Sequence, residues 1–170
     1  MSIGSLSISP LEEKDLPKVA EWTRSDEAKR YFYPQFPNTA EDLAAYFNSS
    51  AREYFRIVSD GVFVGIIGAD QIDGVSKKIE MRKLVGDSSQ RGKGIGKRAT
   101  FLFLFYTYLI ANPEKVFLHY LDINLRNLTL NGKFGFYLEG VFFEDIITEC
   151  ESHDVARMAL SKSVWLELFG

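Results

Sequence analysis

The spacing of hydrophobic and polar positions changes along the chain, and each change predicts an element. Leu6 and Ile8 alternate with serines and predict a first edge strand ending at Pro10, whose missing amide suits an edge. Leu16, Val19, Ala20 and Trp22 recur at helical spacing behind Asp15 and Pro17, which favour a helix start. Asn38 or Thr39 can cap a second helix, with Glu41 and Asp42 in its first turn and Leu43, Ala44, Tyr46 and Phe47 as its apolar stripe. Residues 54–58 and 62–69 read as strands joined at Ser59, Asp60 and Gly61, a hairpin. The next strand, 77–85, places Ile79, Met81 and Val85 on one face and Glu80, Arg82 and Leu84 on the other, with Lys83 interrupting the apolar series.

The second half of the chain continues in the same way. Ile95, Ala99, Leu102, Tyr106 and Leu109 mark a helix over 94–110, and Asn112 and Pro113 stop it before a strand at 116–121. Strand, helix and strand with short links predict a parallel crossover. Asn124 is placed to cap a short helix to about residue 133, closed by Gly135. Residues 136–138 and 141–148 read as strands separated by Glu139 and Gly140, and 155–160 as the last strand, antiparallel to them. Trp165, Leu166, Leu168 and Phe169 form an apolar tail that packs on the body or on another subunit. The expected fold is therefore α/β: a mixed sheet of about seven strands with about four helices in a single domain, 1–170.

Composition narrows the function classes. The 170 residues are 46% hydrophobic and 25% charged, which predicts a folded globular chain. A formal net charge of -3 argues against a nucleic-acid partner. The longest apolar run, 101–111, contains Tyr106 and Tyr108 and is too short to span a membrane, and nothing before Pro10 reads as a signal peptide. With Cys150 as the one cysteine, these features predict a reducing, cytoplasmic setting. The two histidines and Cys150 do not form a metal constellation, so no metal is expected.

Positive charge is concentrated in one place. Gln90, Arg91, Gly92, Lys93, Gly94, Ile95 and Gly96 link the fourth predicted strand to the third helix. Glycines let the backbone turn tightly and approach a ligand, and the free amides of a helix start make an anion cradle. Lys97 and Arg98 add charge, with no acid between residues 88 and 98. A Walker A loop would need a hydroxyl after Gly96 and Lys97, where Arg98 stands. A dinucleotide fingerprint belongs at the opening of a βαβ unit, whereas these glycines lie in mid-chain.

On these residues the chain resembles the GCN5-related N-acetyltransferases, the GNAT superfamily, over about residues 7–163. The family's acetyl-CoA signature, Gln or Arg, two residues, Gly, one residue, Gly or Ala, appears in Gln90 to Gly96, preceded by Ile79, Glu80, Met81 and Arg82. Asn124, Leu125, Arg126 and Asn127, then Lys133, Phe134, Gly135 and Phe136, resemble the family's second hallmark. His153, Asp154, Met158, Ala159 and Leu160 resemble the branch containing ribosomal-protein N-terminal and amino-sugar acetyltransferases.

The resemblance implies an acyl-CoA N-acyltransferase fold with splayed central strands, and acetyl-CoA as cosubstrate. The pyrophosphate would lie on the amides of Arg91 to Gly96 with Lys97 nearby, the pantetheine arm against the backbone of Leu84 and Val85, and Asn124 beside that arm. Where the family commonly has a tyrosine to protonate the leaving thiolate, this chain has Asn131, which leaves Tyr120, Tyr137 or solvent to supply the proton. Glu80 is the candidate base for the attacking amine, or else a carboxylate paired with Arg82 or Lys78. His119 reads either as strand packing or as a catalytic group. Tyr31, Phe32, Tyr33 and Phe36 either fold onto the core or line the acceptor cleft, where Glu27, Glu41 or Asp42 could receive a cation.

The implied activity is acetyl transfer to a primary amine by direct attack in a ternary complex. The acceptor could be a protein N-terminus, an amino sugar, a polyamine or an aminoglycoside, and the protein a monomer or homodimer. A coenzyme A-binding regulatory module with weak or lost transfer activity is the alternative, motivated by Asn131.

Overall fold

The computed structural model describes residues 1–26, 28, 36–121, 125–147 and 151–170, with backbone alone at 125–127. One mixed sheet carries eight strands: β1 (Ser2–Ile3), β2 (Leu6–Pro10), β3 (Glu53–Ser59), β4 (Val62–Asp73), β5 (Lys78–Val85), β6 (Lys115–Leu121), β7 (Tyr137–Ile147) and β8 (Ser152–Ser161). Their order is β1-β2-β3-β4-β5-β6-β8-β7, antiparallel throughout except for β5 beside β6. Five α-helices are described: α1 (Leu16–Thr23), α2 (Ala40–Phe47), α3 (Ile95–Tyr106), α4 (Leu125–Gly132) and α5 (Lys162–Phe169).

Local chemistry sets most of these boundaries. The Thr39 hydroxyl accepts from the Asp42 amide at 3.1 Å and so caps α2. Asp60 (φ 51°) and Gly61 (φ 78°) are both left-handed, the geometry of a two-residue turn whose twist matches its flanking strands. The α3 helix runs on through a π-helical turn, Thr107–Ala111, and ends where Asn112 takes φ 50°.

Two expectations change, and one open alternative is decided. The strand at Leu6–Pro10 is not the edge, because Ser2 and Ile3 pair outside it. The chain at 137–147 is one strand, not two. Pairing with β8 continues on both sides of Gly140, with register shifts at Leu138/Gly140 and Phe142/Ile146 that take up the irregularity. Glu139 is held in the sheet by Lys115 (2.6 Å) and Arg157 (3.0 Å) rather than released into a turn. The apolar tail is the helix α5, whose Trp165 stacks on Tyr108 at 5.5 Å between centroids and is buried.

Two apolar layers flank the sheet. On one side Ile79, Met81, Val116, Leu118 and Tyr120 pack against Ile95, Ala99, Leu102 and Phe103 of α3 and against Trp165. On the other, Tyr54, Ile66 and Leu84 pack against α1 and α2 through Leu16, Val19, Trp22 and Leu43. Between these layers β5 and β6 pair only at Lys78–Lys115, Ile79–Val116 and Glu80–Phe117. Beyond Glu80 the two strands part: β5 stays on β4 through Val85, and β6 stays on β8 through Leu121. A wedge opens in the middle of the sheet toward the glycine loop.

Candidate active site

The glycine loop stands at the mouth of this wedge. A 3-10 turn, Ser88–Gln90, leads into Gly92 (φ 81°) and Gly94 (φ 75°), conformations that an L side chain rarely adopts. Gly94 is the residue before α3, and the Arg98 amide closes the first turn on its carbonyl at 3.1 Å. A Cβ placed at Gly92 or Gly94 would meet nothing within 4 Å, so the space in front of the loop is open. Lys93 and Lys97 are exposed, and Lys93 reaches Gln90 Oε1 at 3.2 Å. Arg91 turns inward, its Nε donating to the Val85 carbonyl at 3.0 Å, which ties the loop to the end of β5. Among the described residues, no strand pairs with the β6-facing edge of Leu84 and Val85. Open amides, local cations and a free strand edge fit an elongated phosphorylated ligand such as coenzyme A.

On the α2 side of the wedge lies a buried charge network. Asp70 and Glu80 are opposite each other on β4 and β5 and are both 2% exposed. Arg82 bridges them, with Nε 2.7 Å from Asp70 Oδ2 and Nη2 3.0 Å from Glu80 Oε1. Asp70 also meets Arg52 at 2.7 Å and accepts from the hydroxyls of Tyr46 and Tyr54. Two carboxylates and two guanidiniums thus compensate one another out of water, which is what permits their burial. Burial and the Asp70 carboxylate push the Tyr46 phenol up to about 12, and Tyr54 well above its ordinary value.

Glu80 reaches across the opening as well. Its Oε1 is 3.2 Å from His119 Nδ1, on β6 two residues past the last paired position. Burial pushes the Glu80 carboxyl up, but the His119 hydrogen bond and the Arg82 charge outweigh it and hold the group below its ordinary value. Glu80 is therefore an ionised, arginine-paired carboxylate and not the surface group that its charge alone suggests. Its Oε2 is buried without a hydrogen-bond partner among the described residues.

The α3 side presents different chemistry. Lys83 Nζ donates to Thr100 Oγ1 at 2.7 Å, and that hydroxyl donates to the Gly96 carbonyl at 2.7 Å. Desolvation lowers the Lys83 ammonium to about 8. Tyr120 and Asn131 are buried, and the Tyr120 hydroxyl and Asn131 Oδ1 have no partner among the described residues. Burial raises the Tyr120 phenol, which keeps its proton in place. Tyr137, the other tyrosine considered, is 46% exposed on the edge strand β7.

The wedge brings together Glu80, Leu84, Val85 and the loop from Gln90 to Lys97. Asn124, Glu27, Cys150 and residues 31–35 lie outside the described residues. Phe36 is folded back, buried against Tyr46 at 4.8 Å, and Glu41 and Asp42 form the exposed first turn of α2. His153 is on β8, 3.5 Å from Glu151. Sequence reasoning missed Asp70, Arg52, Tyr54 and the part of Lys83. One signal was available: an aspartate ending an unbroken apolar strand run, Val62 to Ala69, needs a buried partner. Among the described residues no group of three His, Cys, Asp or Glu could hold a metal ion, and no helix is long and apolar enough to cross a membrane.

Comparison with known proteins identifies the family and the fold. The family model described as Acetyltransferase (GNAT) domain matches residues 5–137. The spermidine N(1)-acetyltransferase of Escherichia coli K12 is 23% identical over 169 residues, covering 97% of this chain and 90% of that protein. The crystal structure of spermidine N-acetyltransferase from Vibrio cholerae in complex with CoA and spermine superposes with a TM-score of 0.87 at 21% identity, covering 95% of this chain and 98% of that one. A dodecameric structure of the Vibrio cholerae protein gives a TM-score of 0.84 at 21% identity over 98% and 99%. These relatives are spermidine acetyltransferases, not members of the ribosomal-protein or amino-sugar branch suggested by His153 to Leu160.

Proposed function

The chain belongs to the GNAT acetyltransferases, and from that premise we propose that it moves the acetyl group of acetyl-CoA onto a primary amine of a small polyamine, by direct attack with both substrates bound. The observation that carries this reading is the wedge between β5 and β6, with an anion cradle at its mouth and a buried carboxylate, Glu80, at its apex. The polyamine class rests on the spermidine acetyltransferases among its relatives. A protein N-terminus, an amino sugar and an aminoglycoside are the competing acceptors.

Bound acetyl-CoA supplies the acetyl group as a thioester activated toward amines. In this reading the amides from Arg91 to Gly96 and the side chain of Lys97 hold its phosphates. The free edge of β5 at Leu84 and Val85 aligns the arm, and a backbone amide there polarises the carbonyl oxygen. Glu80, kept ionised by Arg82, is a hydrogen-bond acceptor at the apex, its Oε2 unpartnered among the described residues. Asn131 has no proton to give, whereas the buried Tyr120 phenol has one and lies on the α3 side of the wedge.

The test is thiol release from acetyl-CoA with spermidine, spermine, an aminoglycoside, an amino sugar and an N-terminal peptide, alongside calorimetric titration of coenzyme A. Turnover on the polyamines is the expected result. Turnover on another acceptor alone would overturn the polyamine assignment. Coenzyme A binding without turnover on any amine would leave the regulatory module as the reading.

A further inference from the structure

The two candidates for the base are not equivalent. A carboxylate is a useful base only if it gives up its arginine and takes a proton readily, and Glu80 is held below its ordinary value by two donors on one oxygen. The same contacts dictate the state of the ring beside it. Glu80 Oε1 accepts from Arg82 Nη2 at 3.0 Å and has no hydrogen of its own, so at 3.2 Å His119 Nδ1 must be the donor. In the neutral ring Nε2 is then the nitrogen that carries the lone pair, and among the described residues no hydrogen bond engages it.

We propose that His119 is the catalytic base, that its Nε2 takes the proton from the acceptor amine, and that Glu80 is a positioning residue that fixes the ring through Nδ1. Position supports this. His119 follows Phe117, the last β6 residue paired with β5, so the hydrogen bond to Glu80 spans the strands where they part. The ring is 29% exposed, reachable from the wedge yet held by Phe117 at 5.5 Å and Phe142 at 6.2 Å between centroids. The other charged groups on this face come from four strands. Arg82 and Asp70 lie behind Glu80, while Arg157, opposite His119 on β8, stacks over Phe117 and is paired with Glu139 of β7. Both arginines are thus engaged with carboxylates, and Glu80 remains the charge in direct contact with the ring.

The proton balance closes. The acceptor enters as an ammonium, and one proton passes to His119 Nε2 to give the imidazolium, which Glu80 stabilises. The freed nitrogen lone pair forms the N–C bond to the acetyl carbon, and the C–S bond breaks with its electron pair on sulfur. The second N–H proton of the new amide nitrogen and the imidazolium proton pass to the sulfur and to solvent. This role rests on the acetyl-transfer reading.

The test combines kinetics with a measurement on the protein alone. His119→Asn keeps an N–H donor for Glu80 but has no basic nitrogen, and kcat/KM for spermidine at neutral pH is expected to fall about 10²–10⁴-fold with loss of the acidic limb of the pH profile. Glu80→Gln is expected to lower kcat yet keep that limb, because the ring remains the base while the carboxylate that fixes it is gone. A limb that persists unchanged in His119→Asn overturns the assignment while leaving acetyl transfer intact. Wild-type protein silent on every amine overturns the transfer reading, and this role with it. Independently, ¹⁵N NMR of the free wild-type protein at high pH is expected to show the Nδ1–H tautomer of His119, and the Nε2–H tautomer would overturn the proposal without reference to activity.

Discussion

Single residues in the wedge carry polar atoms that the fold itself does not use. The Tyr120 hydroxyl is buried without a partner among the described residues, an arrangement that costs stability. Tyr120→Phe is therefore expected to leave thermal stability unchanged or raise it, while kcat falls about 10²-fold if the phenol protonates the departing sulfur. Unchanged kcat would remove it from that role. Lys83 gives a pH signature. Its folded pKa, about 8, lies below the ordinary 10.5, so the unfolded chain binds the extra proton between those values and stability rises with pH across that window. Below about pH 8 both states are protonated and the burial penalty is fully present. Lys83→Met is expected to be more stable than the wild type at neutral pH, by a margin that narrows above pH 8. Urea melts from pH 7 to 10.5 measure it, and a constant margin would contradict the burial argument.

At the scale of elements, the loop between β5 and α3 depends on backbone conformation more than on side chains. Gly94 at φ 75° opens α3 and has empty space around it, so a methyl there is penalised by conformation and not by collision. Gly94→Ala is expected to lose about 1 kcal/mol of stability. It should also raise the KM for acetyl-CoA more than that for the amine, which initial-rate kinetics in both substrates would show. Equal changes in the two KM values would argue against the cradle. This loop was legible in the sequence, as were α1, α2, the β3–β4 hairpin and the parallel β5–α3–β6 crossover, because each depends on local periodicity and turn chemistry. The continuity of β7 was not legible. Glu139 and Gly140 look like a turn locally, and pairing with β8 overrides them.

For the molecule as a whole, the feature that stands apart is charge buried within the sheet. Asp70 neutralises Arg52 and Arg82 and accepts from two tyrosines, linking β4, β5 and α2. Asp70→Ala leaves those guanidiniums without their shared partner and is expected to lower unfolding stability by about 3–5 kcal/mol. Denaturant titration would test this, and a loss below about 1 kcal/mol would mean that the network is as expendable as a surface pair.

The sequence by itself determined the family, the glycine loop and the alternating faces of β5, since these are set by residue type and by spacing along a few turns of chain. It also put Glu80 on the strand just before that loop. Only the tertiary structure decided what Glu80 is. Its partners are Arg82 on its own strand and His119 on β6, with Asp70 of β4 behind Arg82, and the parting of β5 from β6 sets the distance to His119. Local pattern cannot report those neighbours, because the protonation state of a buried group depends on charges brought beside it from distant parts of the chain.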